Sequence, residues 1–396
     1  MLKQVFDKNN LSKILTSSDI WKWNLLTHGT VENAITSILT NWEKNSLQLL
    51  PLKKTLLKNK AIFQSVRVED DLYIRLVDRF IRRIYKTRQA DRNRIIRQLL
   101  TLLKDSGNYH ILRLDIKNCY ESIDFSLLIQ NLDDDMILAP DCIKLLYNLH
   151  NDLKINHGAN GLPRGISVSS TLAELYLERL DKKIASHKDV IYSARYIDDI
   201  IVIFPNYQED KKKETINSII SLINTMGLNI NTDSNKYYSN NSKNAEFNYL
   251  GYFIQVKDNK NNKENTISVT ISKSKINKIK SRIMKSFIDY KANQNIQLLK
   301  RRLEYISMRK VVKRGKNGNL LGGIAQNYQF VTDDFECLKD INNFVHQQKH
   351  NPRFNMNSIH KQTIDKISIY SNVKYKKIGN FTKHQTIQIM RIWKNV

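Results

Sequence analysis

Cysteine is scarce. The 396 residues hold three, Cys119, Cys142 and Cys337, far apart and with no CxxC pair. That argues against a disulfide framework and a zinc site, and for a reducing compartment. Long apolar runs are missing too. No stretch reaches transmembrane length, and Met1–Lys8 has no apolar signal core, so a soluble cytoplasmic protein is expected. No internal repeat and no long disordered tract stands out. Acid is in the minority, with 38 Asp+Glu against 64 Lys+Arg and a formal net charge of +26. Such an excess favours a polyanion partner, with nucleic acid first. Genome-wide Lys/Asn/Ile bias would account for the total but not for its placement. From 271 to 396 there are 26 Lys+Arg and only 7 Asp+Glu.

Residues 1–60 read as helices that pack on a larger domain, with Pro51 breaking the pattern. From 67 to 104 the chain is heavily basic. Arg79–Lys86 fits a strand or a helix end, and Asp91 reads as the N-cap of a helix over Arg92–Lys104. Arginines on a helix are usually a solvated face. Clustered ahead of an acidic motif, they can instead hold phosphates.

Three features then follow in order. A strand, Ile111–Ile116, carries Asp115 near its end. A loop punctuated by Gly and Pro, Gly161-Leu162-Pro163-Arg164-Gly165, feeds a helix over 171–180 and lets backbone come close to a ligand. Last comes Tyr196-Ile197-Asp198-Asp199, followed by the apolar run Ile200–Phe204, which places the two acids at the turn of a β-hairpin. By itself Asp-Asp in a turn reads as a solvated turn. Asp115 and Asp198, 83 positions apart, would however lie on adjacent strands of one sheet. Carboxylates brought together in that way can hold two divalent cations, which stabilise the attacking and leaving oxygens of an in-line phosphoryl displacement. A triphosphate needs further cations, and the basic stretch before Asp115, with Arg83 and Lys86, can supply them.

Beyond this point the reading is an amphipathic helix over 211–226, a strand over 228–231, and an aromatic strand over 246–254 with Gly251 inside it. A polar turn at 258–264 and a strand over 266–271 follow. Helices come after 273, interrupted by a basic loop over 310–319.

The ordered set resembles the palm of reverse transcriptases over roughly residues 60–330. The resemblance implies an α+β, right-hand polymerase fold. Its palm sheet would be antiparallel, its fingers mainly helical and its C-terminal thumb helical and basic. The division would be an N-terminal helical segment at 1–60, fingers and palm at 61–271 and the thumb at 272–396. Asp115, Asp198 and Asp199 would be catalytic. Together with the Ile116 carbonyl they would bind two Mg²⁺ ions, with Mn²⁺ as a substitute. Tyr120 falls at the family's steric gate against a ribose 2′-hydroxyl, which implies dNTP use. Arg164 and Gly165 match the loop that packs the incoming nucleotide, although the family usually has Gln where Arg164 stands. Tyr196 opens the Tyr-x-Asp-Asp motif. Lys236 is similar in place to a lysine that protonates pyrophosphate, and Phe247–Tyr252 to a primer-gripping hairpin.

Within the family, Tyr-Glu-Ser-Ile at 120–123, Arg301-Arg302-Leu303 and Gly322-Gly323-Ile324 resemble bacterial defence-associated and abortive-infection enzymes. The length resembles the smaller enzyme of type 3 systems with two reverse transcriptases and a non-coding RNA. No RNase H or integrase constellation is expected. The implied partners are an RNA template, a DNA product, dNTPs and a second reverse transcriptase subunit or another copy of the chain, with no membrane. Three alternatives stay open: an untemplated or protein-primed polymerase of the same fold, an RNA-dependent RNA polymerase, and an idle nucleic-acid-binding scaffold.

Overall fold

The computed structural model describes residues 3–44, 48–57, 59–258, 264–313 and 319–393. Two compact units divide the chain. One comprises Met1–Asp91 and Tyr109–Asn240, the other Arg92–Asn108 and Asn241–Val396. The fold is mixed α+β with antiparallel strand pairs, as expected.

In the first unit, short helices lead to α1 (Val31–Lys44). A hairpin then joins β1 (Lys53–Leu57) and β2 (Lys60–Gln64). This corrects the all-helical reading of 1–60. Every residue of β1 is exposed, so no apolar alternation marks it as a strand. The helix α2 (Val68–Ile84) buries Leu72, Tyr73, Leu76, Val77 and Phe80 on one face. Arg79 to Ile84 form its last turns, not a strand, and Lys86 follows with φ of +52°. After β3 (Tyr109–Asp115) come α3 (Phe125–Asp134), α4 (Pro140–His157) and α5 (Ser167–Ala185). The hairpin β4 (Tyr192–Tyr196) and β5 (Asp199–Pro205) follows, then α6 (Glu209–Asn224) and β6 (Tyr238–Asn241). The sheet order is β4-β5-β3-β6. Leu112, Leu114, Ile200, Val202 and Phe204 of β3 and β5 join the helices in one core. The expected strand over 228–231 is reduced to one bridge, Ile116 to Ile230.

In the second unit, β7 (Glu246–Tyr249), β8 (Tyr252–Lys257) and β9 (Thr266–Ile271) form an antiparallel sheet. The aromatic strand expected over 246–254 is thus two strands. Leu250 and Gly251, with φ of +46° and +85°, make a two-residue turn between them. Arg92, which opens the helix Arg92–Lys104, holds that turn by donating to the Leu250 carbonyl. Helices α7 (Lys273–Asn293) and α8 (Ile296–Ser307) pack with α9 (Lys339–His350) around Phe287, Leu303, Ile341 and Phe354. Between α8 and α9 lies a short hairpin of β10 (Lys310–Lys313) and β11 (Leu320–Gly322). Two short helices, Ser358–Asp365 and Ile369–Lys374, follow α9. Most of the expected turn at 258–264 and the core of the basic loop at 310–319 fall outside the described residues. Among the described residues, no helix is long and apolar enough to cross a membrane.

Candidate active site

The acids meet because two strands are in register. β3 and β5 pair antiparallel with Asp115 opposite Asp199, and β4 pairs with β5 so that Tyr196 is opposite Asp199. The turn residue Ile197 has φ of +61°, which a β-branched residue adopts at a cost. Two bonds hold the turn there. The Ile116 N–H donates to the Asp198 carbonyl at 3.0 Å, and Arg195 donates to the Ile197 carbonyl at 2.9 Å. Arg195 itself is buried and pairs with both Glu174 and Asp181 of α5, at 2.9 and 2.8 Å. Burial opposes its charge, but the two carboxylates outweigh burial and raise its pKa. The residues after β3 are fixed as well. The Lys117 N–H donates to the Asn229 carbonyl at 2.8 Å, and the Asn231 N–H to the Asp115 carbonyl at 2.7 Å.

The result is a cluster in which Asp115, Asp198 and Asp199 each offer a carboxylate oxygen within 4.8 Å of the others. Asp115 is buried and accepts from Lys236 Nζ at 2.6 Å. Asp199 accepts from Arg113 at 2.9 Å. Asp198 has no ion-pair partner of this kind among the described residues. Its pKa is raised, first by burial and then by the negative charge of Asp115. At Lys236 burial works against the ammonium, yet the hydrogen bond and charge of Asp115, aided by Asp199 and Asp198, prevail and raise the pKa. Three oxygens converging on one point, one of them uncompensated, suit a hard divalent cation.

Beside the cluster lies a cavity of about 340 Å³ whose lining includes Asp115, Asp198, Ile116, Lys236 and Lys60. Lys60 comes from β2 and was not singled out in the sequence; nothing local marks it among many lysines. A second recess of about 60 Å³ is lined by Tyr120, Ile197, Glu174, Thr171 and Arg82. Arg82, rather than Arg83, belongs to that lining, and donates to Thr171 Oγ1 at 2.7 Å and to Asp78 at 3.0 Å. Arg83 and Lys86 are exposed and line neither cavity.

Arg164 lies over the Tyr120 ring at 5.0 Å and makes a bidentate pair with Glu121 at 2.6 and 2.9 Å. The Leu162 N–H donates to the Tyr120 carbonyl at 2.8 Å, which ties the Gly-Pro loop to the segment carrying the ring. Gly165 has φ of +94°, and a Cβ there would sit 2.5 Å from the Phe63 carbonyl of β2. Only glycine allows that approach. The structure thus brings Tyr120, Arg164 and Gly165 together, and sets Asp115, Asp198, Ile116 and Lys236 around the cavity, with Asp199 beside them in the carboxylate cluster.

An antiparallel sheet with acids on two adjacent strand ends defines a polymerase-like palm. Residues 58–254 match the family model described as reverse transcriptase (RNA-dependent DNA polymerase), so the chain carries a reverse transcriptase domain. No curated protein sequence matches the chain. Among solved structures, apo telomerase from Candida Tropicalis truncated from its C-terminal domain is similar at 15% identity and a TM-score of 0.38, over 61% of this chain and 60% of that one. Telomerase from Candida Tropicalis in complex with a TWJ fragment of telomeric RNA is similar at 14% identity and a TM-score of 0.39, over 92% of this chain and 68% of that one. The chain therefore spans less than two thirds of the first of these, and similarities this low carry no functional argument.

Proposed function

We propose that the protein is an RNA-directed DNA polymerase that extends a 3′-hydroxyl with dNTPs. The observation that carries this reading is the convergence of Asp115, Asp198 and Asp199 within 4.8 Å, inside a stretch that matches the reverse transcriptase family. In this reading the three carboxylates and the Ile116 carbonyl hold Mg²⁺, or Mn²⁺ in its place. The ions would supply Lewis-acid stabilisation of the attacking and leaving oxygens. The chain's own residues do the rest. Lys236, held by Asp115, stands ready to give a proton to the leaving pyrophosphate. Tyr120, backed by Arg164, presents its ring where a ribose 2′-hydroxyl would clash. Lys60, Arg83 and Lys86 offer cations to phosphates.

The division into an N-terminal segment at 1–60, fingers and palm at 61–271 and a thumb at 272–396 belongs to the same proposal. So does a cytoplasmic role in antiphage defence on a non-coding RNA template, with a second reverse transcriptase subunit or another copy as partner. The resemblance of Tyr-Glu-Ser-Ile at 120–123 and Gly322-Gly323-Ile324 to defence enzymes supports it.

The test is to purify the full chain with its co-purifying nucleic acid, supply dNTPs and Mg²⁺, and sequence the product beside Asp198→Ala. DNA complementary to one bound RNA, made only by the intact protein, is the expected result. DNA with no complementary RNA would replace it with untemplated or protein-primed synthesis. No product from either form would leave a nucleic-acid-binding scaffold. In the same assay Tyr120→Val should raise rNTP use relative to dNTP use by about 10-fold or more, the order expected when a pocket's steric exclusion is removed.

A further inference from the structure

The second unit holds a cavity of its own, of about 470 Å³. Its lining comes from α7, α8, strands β10 and β11, the short helix Ile324–Asn327 with Gly323 before it, and Trp393. Two cations share it, Arg282 and Lys310. None of the described lining residues is acidic. The acid nearest in sequence on α8, Glu304, lies toward Lys300 instead, at 3.9 Å. Arg282 has no ion-pair partner among the described residues, and its Nε is buried with no hydrogen-bond partner. Aromatic faces hold the two cations in place. Lys310 Nζ lies 3.3 Å from the Tyr305 ring centroid, and the Arg282 guanidinium 5.7 Å from that of Trp393. Lys310 also donates to the Tyr305 carbonyl at 3.1 Å, which leaves two ammonium protons uncommitted. Burial, and then the charge of Arg282, push the Lys310 ammonium down to about 8. The remaining lining is largely aliphatic, with Ile279 and Ile306 among it.

Two like charges confined together without an acid raise the energy of the empty cavity, and a dianion would relieve it. A guanidinium fork and an ammonium are the usual partners of a phosphate group. The volume falls in the range of small-molecule pockets, and the aliphatic walls suit an apolar body behind the phosphate. We propose that this cavity binds a phosphate-bearing ligand about one nucleotide in size, either a free nucleotide or the phosphorylated end of a strand. The proposal is independent of the polymerase reading.

The test is isothermal titration of the full chain, with divalent metal chelated, using AMP, adenosine, a 5′-phosphorylated dinucleotide and its 5′-hydroxyl counterpart. Saturable binding of AMP, the phosphorylated dinucleotide or both, but not of the probes lacking phosphate, is expected. AMP alone would identify a free nucleotide as the source. Binding of the phosphorylated dinucleotide, in competition with any AMP bound, would identify a strand end. Arg282→Gln and Lys310→Met should each weaken binding about 10-fold or more, while Asp198→Ala should not. If Arg282→Gln fails to fold, Lys310→Met decides alone, since it only removes a half-buried cation. No saturable binding by wild type, equal binding of adenosine, retention of affinity in Lys310→Met, or loss in Asp198→Ala would each overturn the proposal.

Discussion

In the first unit three carboxylates share the end of one sheet, with Lys236 and Arg113 as partners for two of them. In the second, Arg282 and Lys310 share a cavity with no acid among its described lining. The two regions differ in the sign of the charge that is left uncompensated. Asp198 is the remainder in one, and the Arg282–Lys310 pair in the other. Charges that are numerous do not mark a site by themselves. Arg195 and Arg302 are both buried, yet each is paired inside its own unit, Arg302 to Asp289 at 2.6 Å. Paired buried charges hold structure, and unpaired ones are available for a ligand.

Substitution separates these two uses of a cation. Arg195→Met leaves Glu174 and Asp181 without their partner and releases the carbonyl of Ile197. Unfolding free energy should fall by about 2–4 kcal/mol, less than for a wholly buried orphan because Asp181 is 40% exposed. Chemical denaturation measures it, and a loss near zero would break the distinction. Lys310→Met should act in the opposite direction and more weakly. The folded value near 8 lies below the ordinary 10.5, so between those pH values the unfolded chain holds a proton that the folded chain has released. Wild-type stability therefore rises with pH through that window, and below about 8 the full cost of the half-buried ammonium is present. The variant should be more stable than wild type by on the order of 1–2 kcal/mol at pH 7, and the gap should close toward pH 10.5. A gap that does not change with pH would mean that Lys310 is not held as described.

The acidic half of the comparison was legible in the sequence and the basic half was not. Ile111–Leu114, interrupted by Arg113, and Ile200–Phe204 are largely apolar and flanked by acids, and the register of β3 and β5 sets Asp115 opposite Asp199. Arg195 shows the limit. Its partners Glu174 and Asp181 lie 21 and 14 positions earlier on a helix, a relation no local period encodes. The β1–β2 hairpin gave no signal because β1 is exposed throughout. The turn at 250–251 was missed because Leu250 adopts a left-handed conformation that leucine rarely takes. The cavity of the second unit depends on residues from 279 to 393 meeting in space, so the sequence showed only an excess of lysine and arginine there.

The central claim is that Asp115, Asp198 and Asp199 form a divalent-cation site. The most direct measurement is Mn²⁺ binding to the full chain by electron paramagnetic resonance, with Asp198→Asn as the comparison. The account predicts saturable binding by the wild type and affinity lower by about 100-fold or more in the variant, with the variant as stable as the wild type or more so. Equal Mn²⁺ binding by both proteins would contradict it.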